Sequence, residues 1–238
     1  KITPATFRRW TTILHSVPNS VLWLLGGTPD ANERLKQAAM QQGVVGDRLI
    51  FASKKANPDH LARYPLADLL LDTHPYGSHT TASDALWMGV PVLTSAGRCF
   101  ASRVCAALVR AAGIGDLVCA SFDDYVKRAI EFGLDRSKLA PFRERLVAGR
   151  DGSLLFDTPT LVRSLEDLYA GMWEEFAAGK MPIPDLSNLD VYHDIAMDLD
   201  LDAIGALGDE AYLAAYRQKL ADRDSVFPIK ADQRLLRR

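Results

Sequence analysis

The sequence is short of most features that assign a protein quickly. Its three cysteines, Cys99, Cys105 and Cys119, are an odd number, and no two have metal-ligand spacing. That pattern is expected of a reduced, cytoplasmic protein. No apolar run approaches the roughly 20 residues that span a bilayer, so no membrane partner is expected. Neither sign of charge dominates: 28 Lys and Arg against 30 Asp and Glu leave a net charge of -2. Such a balance gives no strong pull toward nucleic acid or acidic lipid. There is no Gly-x-Gly-x-x-Gly and no P-loop, so the usual dinucleotide and ATP fingerprints are missing. His193 and Asp194 are adjacent, but no nucleophile motif accompanies them. Internal repeats and low-complexity segments are also lacking. The chain starts at Lys1, in a stretch that already reads as folded protein. A fragment without its N-terminal part is therefore expected.

What remains is an ordinary globular composition, 48% apolar and 24% charged over 238 residues. A chain of this length buries enough surface to fold without disulfides. Residues 4–16 carry Phe7, Trp10, Ile13 and Leu14 at helical spacing, with Pro4 suited to a first turn. The run VLWLL at 21–25, stopped by Gly26 and Gly27, reads as a buried parallel strand. Asp30 is placed to cap the next helix. Further strands are expected at 49–51, 69–71, from 91 and at 117–118. Helices are expected at 60–64, 80–88, 98–112, 122–133, 136–148 and 158–177. Strands alternating with helices through short connections predict an α/β fold with a Rossmann-like, doubly wound parallel sheet. Ligands of such sheets sit outside the carboxyl ends of the strands. Two divisions are expected: an α/β domain at 1–178, and a linker with a mainly helical extension at 179–238. Pro182, Pro184 and Asn188 punctuate the linker, Asp198, Asp200 and Asp202 alternate with Leu199 and Leu201, and a helix is expected at 211–220.

The stretch DTHPYGSHTTASDALWMGVP at 72–91 carries the most chemistry. It follows a strand, crosses a loop with Gly77 and Ser78, and opens a helix at His79, Thr80 and Thr81. A helix N-terminus combines free N–H groups with the positive end of the dipole, which together form an anion site. Thr80 and Thr81 add hydroxyls, His79 an imidazole N–H. Asp84, four residues after Thr80, shares its helical face and can accept hydrogen bonds from two ribose hydroxyls. The same residues equally serve a plain helix start, with Thr80 as N-cap and Asp84 a solvated acid. A second candidate is KKANPDHLAR at 54–63. Backbone groups at Lys55, Ala56 and Asn57 can read a base edge, His60 can stack on the base or bond a phosphate, and Arg63 lies one turn on. A helix start with Asp59 near its cap and a solvated Arg63 accounts for this stretch as well. Lys1, taken alone, is an ordinary solvated lysine. Cys105, Trp23 and Trp87 read as packing residues.

Several ordered segments resemble the catalytic region of the protein O-GlcNAc transferase family, which also holds the plant SPINDLY-type protein O-fucosyltransferases. They are Lys1 and Ile2 followed by Pro4, VPNSVLWLL at 17–25, RLIF at 48–51, LADLLLDT at 66–73, HTTASDALWMGVPVLT at 79–94, ASRV at 101–104 and LYAGMWEEF at 168–176. The match runs over about three quarters of the chain. The resemblance makes 1–178 the nucleotide-sugar-binding catalytic half-domain. It implies the C-terminal, donor-binding domain of a GT-B glycosyltransferase that moves N-acetylglucosamine from UDP-GlcNAc to Ser or Thr of proteins, inverting and metal-independent. It implies no cofactor and no metal site. His79, Thr80 and Thr81 match the segment that holds the donor pyrophosphate, and Asp84 the ribose-binding aspartate. His60 and Arg63 match nucleotide-contacting positions, and Lys55, Ala56 and Asn57 the base-reading loop. Lys1 matches the catalytic lysine that contacts the donor phosphates and assists leaving-group departure. Implied partners are a UDP-sugar, a protein acceptor, the other catalytic half and tetratricopeptide repeats. Two departures bear on the donor. Asn57 stands where the animal enzymes have lysine, and Tyr76 where they have a cysteine lining the pocket for the sugar's acyl group. GDP-fucose or UDP-glucose as donor, or a nucleotide-binding module without turnover, are the alternatives.

Overall fold

The structure is a computed structural model that describes residues 2–180, 185–200, 207–232 and 234–235. Lys1, Pro182, Pro184, Leu201 and Asp202 lie outside the described residues. The chain divides into two compact units, 1–157 and 158–238.

In the first unit five short parallel strands alternate with helices. They are β1 (Leu22–Leu25), β2 (Leu49–Ala52), β3 (Leu70–Leu71), β4 (Val92–Ser95) and β5 (Val118–Cys119). β1 pairs with β2 in the register Leu22 to Leu49, and β3, β4 and β5 form a second ladder in that order. Both ladders feed one apolar core, which takes in Leu49, Val92, Leu93 and Leu117 together with Leu22, Leu24 and Leu70. Successive residues of a strand face opposite sides of the sheet. Val92, Leu93 and Thr94 are nevertheless all fully buried, so β4 is covered on both faces, as a doubly wound sheet requires. The covers are two helix pairs. α4 (Thr80–Trp87) packs with α5 (Phe100–Ala111), and α1 (Pro4–Ser16) packs with α6 (Phe122–Leu134), and α4, α5 and α6 touch β4. The Trp10 indole N–H, donating to the Tyr125 hydroxyl at 3.2 Å, ties α1 to α6.

The helix starts explain most differences from expectation. α2 (Pro29–Gln41) is capped by Thr28, whose hydroxyl accepts from the Ala31 N–H, so Asp30 sits within the first turn instead. Pro29 fixes the first helical φ, which moves the cap one residue before it. α3 (Asn57–Ala62) begins three residues earlier than expected for the same reason, with Pro58 in its first turn. The helix expected at 136–148 is a 3-10 turn (Arg136–Leu139) leading into α7 (Ala140–Gly149), and Pro141 marks the change. Cys105 is fully buried, as a packing residue should be. Trp87 is not: it is 39% exposed, packs edge-on against Phe156 at 4.8 Å and lies under the Arg150 guanidinium.

The second unit contains α8 (Thr158–Ala177), α9 (Leu189–Met197) and α10 (Asp209–Val226). No residue of α8 is buried. Tyr192, Ile195, Leu199, Tyr216, Leu220 and Ile229 form a separate small core. Asp232 stitches it by accepting from Asn188 Nδ2 at 2.9 Å and from the Tyr192 hydroxyl at 2.7 Å. Among the described residues no helix is long and apolar enough to cross a membrane.

Candidate nucleotide-binding site

Two loops at carboxyl ends of strands carry the expected site residues, and one hydrogen-bonded relay joins them. After β2 the chain runs through exposed Lys55, Ala56 and Asn57 into α3. Arg63, just past the end of α3, donates to the Ser53 carbonyl at 2.9 Å and to His60 Nδ1 at 2.7 Å. An arginine can only donate, so Nδ1 is the accepting nitrogen and Nε2 carries the proton of the neutral ring. Nε2 then donates to the Tyr64 hydroxyl at 3.3 Å, and that hydroxyl donates to the Thr81 carbonyl at 3.5 Å. Thr81 lies in the first turn of α4, so the relay spans from the loop after β2 to the helix after β3.

Asp84 belongs to the same cluster. Burial first, then the Asp84 charge, pushes the Tyr64 phenol up to about 12. Tyr64 is therefore a fixed hydrogen-bond donor at any physiological pH. Sequence reading did not single it out. The signal lies in its spacing, one turn beyond His60, which gives it a helical neighbour's reach.

The start of α4 is open. His79 occupies the N-cap position with φ -111° and ψ -97°, and no side chain caps the helix. α1, α2 and α6, by contrast, are capped by Thr3, Thr28 and Ser121. Thr80 is thus the first helical residue and not the cap. The His79 carbonyl takes the N–H groups of Ala82 and Ser83. The N–H groups of Thr80 and Thr81 meet no acceptor among the described residues, and both residues are exposed. Two free donors at the positive end of a helix make an anion site. His79 contributes differently from expectation. Its Nε2 faces the Ala101 carbonyl at 3.3 Å, which leaves Nδ1 as the nitrogen turned elsewhere. Its ring stacks on Tyr76, 5.0 Å between centroids at 23°, and meets the edge of Phe100 at 6.2 Å. Tyr76 itself remains 46% exposed.

The loop before α4 is held from three sides. The Asp72 carboxylate accepts from the Ser78 N–H at 2.6 Å. The Ala101 carbonyl at the start of α5 takes the Gly77 N–H at 2.9 Å. The Thr6 hydroxyl donates to the His74 carbonyl at 3.0 Å, and the Thr3 hydroxyl reaches the same atom at 3.4 Å. The start of α1 therefore lies against this loop. Lys1, two residues before Thr3, lies outside the described residues. His60, Arg63, Thr81 and Asp84 come together. Tyr76 and His79 form a second, stacked pair beside the helix start. Among the described residues Lys55 and Asn57 make no side-chain hydrogen bond, and both are exposed in the loop after β2. Among the described residues no group of three or more His, Cys, Asp or Glu side chains is placed to hold a metal ion.

Known proteins share this arrangement of elements. The profile of Glycosyl transferase family 41 matches residues 1–165. A UDP-N-acetylglucosamine–peptide N-acetylglucosaminyltransferase of Caenorhabditis elegans is 36% identical over 188 residues, covering 79% of this chain and 16% of that protein. The probable enzyme of the same name called SEC, from Arabidopsis thaliana, is 37% identical over 183 residues, 76% of this chain and 19% of its own length. The Arabidopsis protein SPINDLY, described likewise as a probable UDP-N-acetylglucosamine–peptide N-acetylglucosaminyltransferase, is 33% identical over 187 residues. The chain thus spans about a fifth of the length of these relatives. A solved structure of a mutant O-GlcNAc transferase from Thermobaculum terrenum superposes with a TM-score of 0.70 at 36% identity, over 73% of this chain and 34% of that one. The fold is that of the Rossmann-like C-terminal domain of a GT-B glycosyltransferase, and the chain belongs to glycosyl transferase family 41.

Proposed function

We propose that this chain is the donor-binding half of an enzyme that transfers N-acetylglucosamine from UDP-GlcNAc to Ser or Thr hydroxyls of proteins, with inversion and without a metal. The observation that carries the reading is the relay from Arg63 through His60 and Tyr64 to Thr81. It links a base-side loop to a phosphate-side helix start, with the Asp84 charge close enough to act on Tyr64. A nucleoside diphosphate has the same order of parts: base, ribose, phosphates. The base would lie against Lys55, Ala56, Asn57 and His60, the ribose hydroxyls on Asp84, and the pyrophosphate on the N–H groups and hydroxyls of Thr80 and Thr81.

In the reaction the acceptor oxygen attacks the anomeric carbon while the bond to the β-phosphate oxygen breaks, and negative charge gathers on that phosphate. Preorganised donors are worth most where charge develops. The open start of α4 supplies two, and Lys1 would supply a cation. The bonds from Thr3 and Thr6 to His74 support that role, because they hold the start of α1 against the phosphate loop. Lys1→Ala is expected to lower transfer far more than UDP binding, and Asp84→Ala to weaken UDP binding itself. The protein acceptor, the other catalytic half, tetratricopeptide repeats and a cytoplasmic location belong to the same proposal.

Exposed Asn57 and the Tyr76 ring beside His79 favour one second reading, a different donor such as GDP-fucose or UDP-glucose in the same site. Thermal unfolding with UDP, UDP-GlcNAc, GDP and GDP-fucose, each with and without EDTA, decides between them. A folded-state ligand raises Tm. A rise with the uridine ligands that EDTA leaves intact is the expected result. A rise with guanosine ligands alone would transfer the proposal to the fucosyl donor, and loss of the rise with EDTA would end the metal-independent part. No rise in the full-length protein would leave a fold of this family without donor binding.

A further inference from the structure

Asp72 ends β3, outside every residue assigned a contact with the donor. It is 6% exposed, and the hydrogen-bond donors that its side chain meets among the described residues are neutral. Oδ1 accepts from the Thr73 N–H at 2.9 Å and the Ser78 N–H at 2.6 Å, and Oδ2 accepts from the Thr94 hydroxyl at 2.7 Å. Its own N–H closes the last rung onto Leu93 at 3.0 Å, and its carbonyl accepts from the Tyr125 hydroxyl at 3.0 Å. Gly77 passes so close that an added Cβ would stand 3.2 Å from Oδ2 and 3.2 Å from the Ala101 carbonyl. The loop 73–78 is thus folded around this one carboxylate, and the next residues are the open start of α4.

A buried acid beneath a phosphate site opposes the binding of an anion, so its charge does not explain its presence there. Its acceptor capacity does. A carboxylate offers acceptors only, on both oxygens, and so takes three converging donors without conflict. We infer that Asp72 is the positioning residue of the phosphate site: through the Ser78 N–H it sets where the free N–H groups of Thr80 and Thr81 point, and so governs recognition of the diphosphate but not of the nucleoside. The inference rests on the donor reading given above.

Asn at this position can reproduce the pattern. Its amide oxygen accepts from both N–H groups, and its NH2 donates to the Thr94 hydroxyl once that hydroxyl rotates. Ala cannot. The experiment compares Asp72→Ala and Asp72→Asn with wild type in the full-length protein, below the Tm of each, using uridine and UDP as competing ligands. The wild type is expected to prefer UDP strongly. In D72A that preference falls by about tenfold or more, the scale of losing hydrogen bonds to a charged group, with uridine affinity unchanged. D72N keeps the preference to within about threefold. A merely structural role would lower Tm and leave the ratio intact, which would overturn the inference while sparing the donor reading. Equal loss of preference in D72N and D72A would also overturn it, because charge and not acceptor geometry would then be at work. A wild type without preference for UDP over uridine would remove the donor reading and this inference together. Should D72A not fold, Thr94→Val removes one of the three donors, and its preference is expected to fall by about threefold; an unchanged ratio there counts against the inference.

Discussion

His60 has to accept from one neighbour and donate to another, and the order of the two is set by Arg63, which has nothing but donors. That fixes the neutral ring with its proton on the side of Tyr64. Removing the Tyr64 hydroxyl leaves a ring N–H and the Thr81 carbonyl without their shared partner. Tyr64→Phe is therefore expected to lower stability by about 1 kcal/mol and to weaken UDP binding severalfold, measured by denaturant unfolding and by titration. The phenol also gives a pH signature. In the folded protein it holds its proton to about pH 12, while in the unfolded chain it releases it near pH 10. Stability has no contribution from this difference below about pH 10 and falls as pH rises from 10 to 12. Y64F should lose that part of the alkaline fall, seen by comparing unfolding at pH 9 and 11. A Y64F protein with the wild-type alkaline profile would mean that the hydroxyl is not buried as described.

At the scale of elements, helix α6 meets the end of α1 through a glycine. A Cβ on Gly133 would lie 2.7 and 2.8 Å from the two methyl groups of Val17, which is itself buried. Ala in a helix is favoured over Gly by about 1 kcal/mol, but overpacking a core costs about 1–3 kcal/mol, and contacts this short select the upper part of that range. Gly133→Ala should therefore lower Tm while leaving UDP affinity unchanged, since Val17 sits at the end of α1 away from Thr3 and Thr6. A rise in Tm would show that the helices part at no cost. The contact was not legible in the sequence, where Gly133 is merely one small residue in a helical pattern. The elements themselves were legible wherever apolar residues are dense. VLWLL marks β1 by apolar density, although the strand is only partly covered and Leu25 is 66% exposed, and FASRVCAALVRA marks α5 because burial of one helical stripe leaves a period in the chain. Leu189, Tyr192 and Ile195 carry helical spacing too, but they lie among aspartates, and no helix is expected there from the sequence although the structure has α9. Thr28 and Asp72 were missed for a related physical reason. Each acts through a partner fixed by a proline's φ or by a residue 22 positions away, and neither composition nor periodicity records such pairings.

For the whole molecule the question is how much chain the donor site needs. Every described residue assigned to it lies before Asp157, within the first compact unit and around its single core. The second unit has its own apolar cluster, closed by Asn188, Tyr192 and Asp232, and no residue of α8 is buried. A polypeptide of residues 1–157 should then unfold cooperatively and bind UDP as well as the 238-residue chain does. At a ligand concentration about 100 times Kd the stabilisation is about 2.7 kcal/mol, a Tm rise of roughly 5–10 °C for a unit of this size. Equal rises in the short and long chains would confine donor recognition to the first unit and leave the extension for another task. A rise only in the long chain would mean that residues after 157 complete the pocket. Catalysis follows different logic, because acceptor and donor must meet at one carbon atom, and this chain is about a fifth the length of its relatives. Binding without transfer by the 238-residue chain, and transfer by the full-length protein, is the expected pair of results; transfer by this chain alone would show that the donor half carries its own acceptor site.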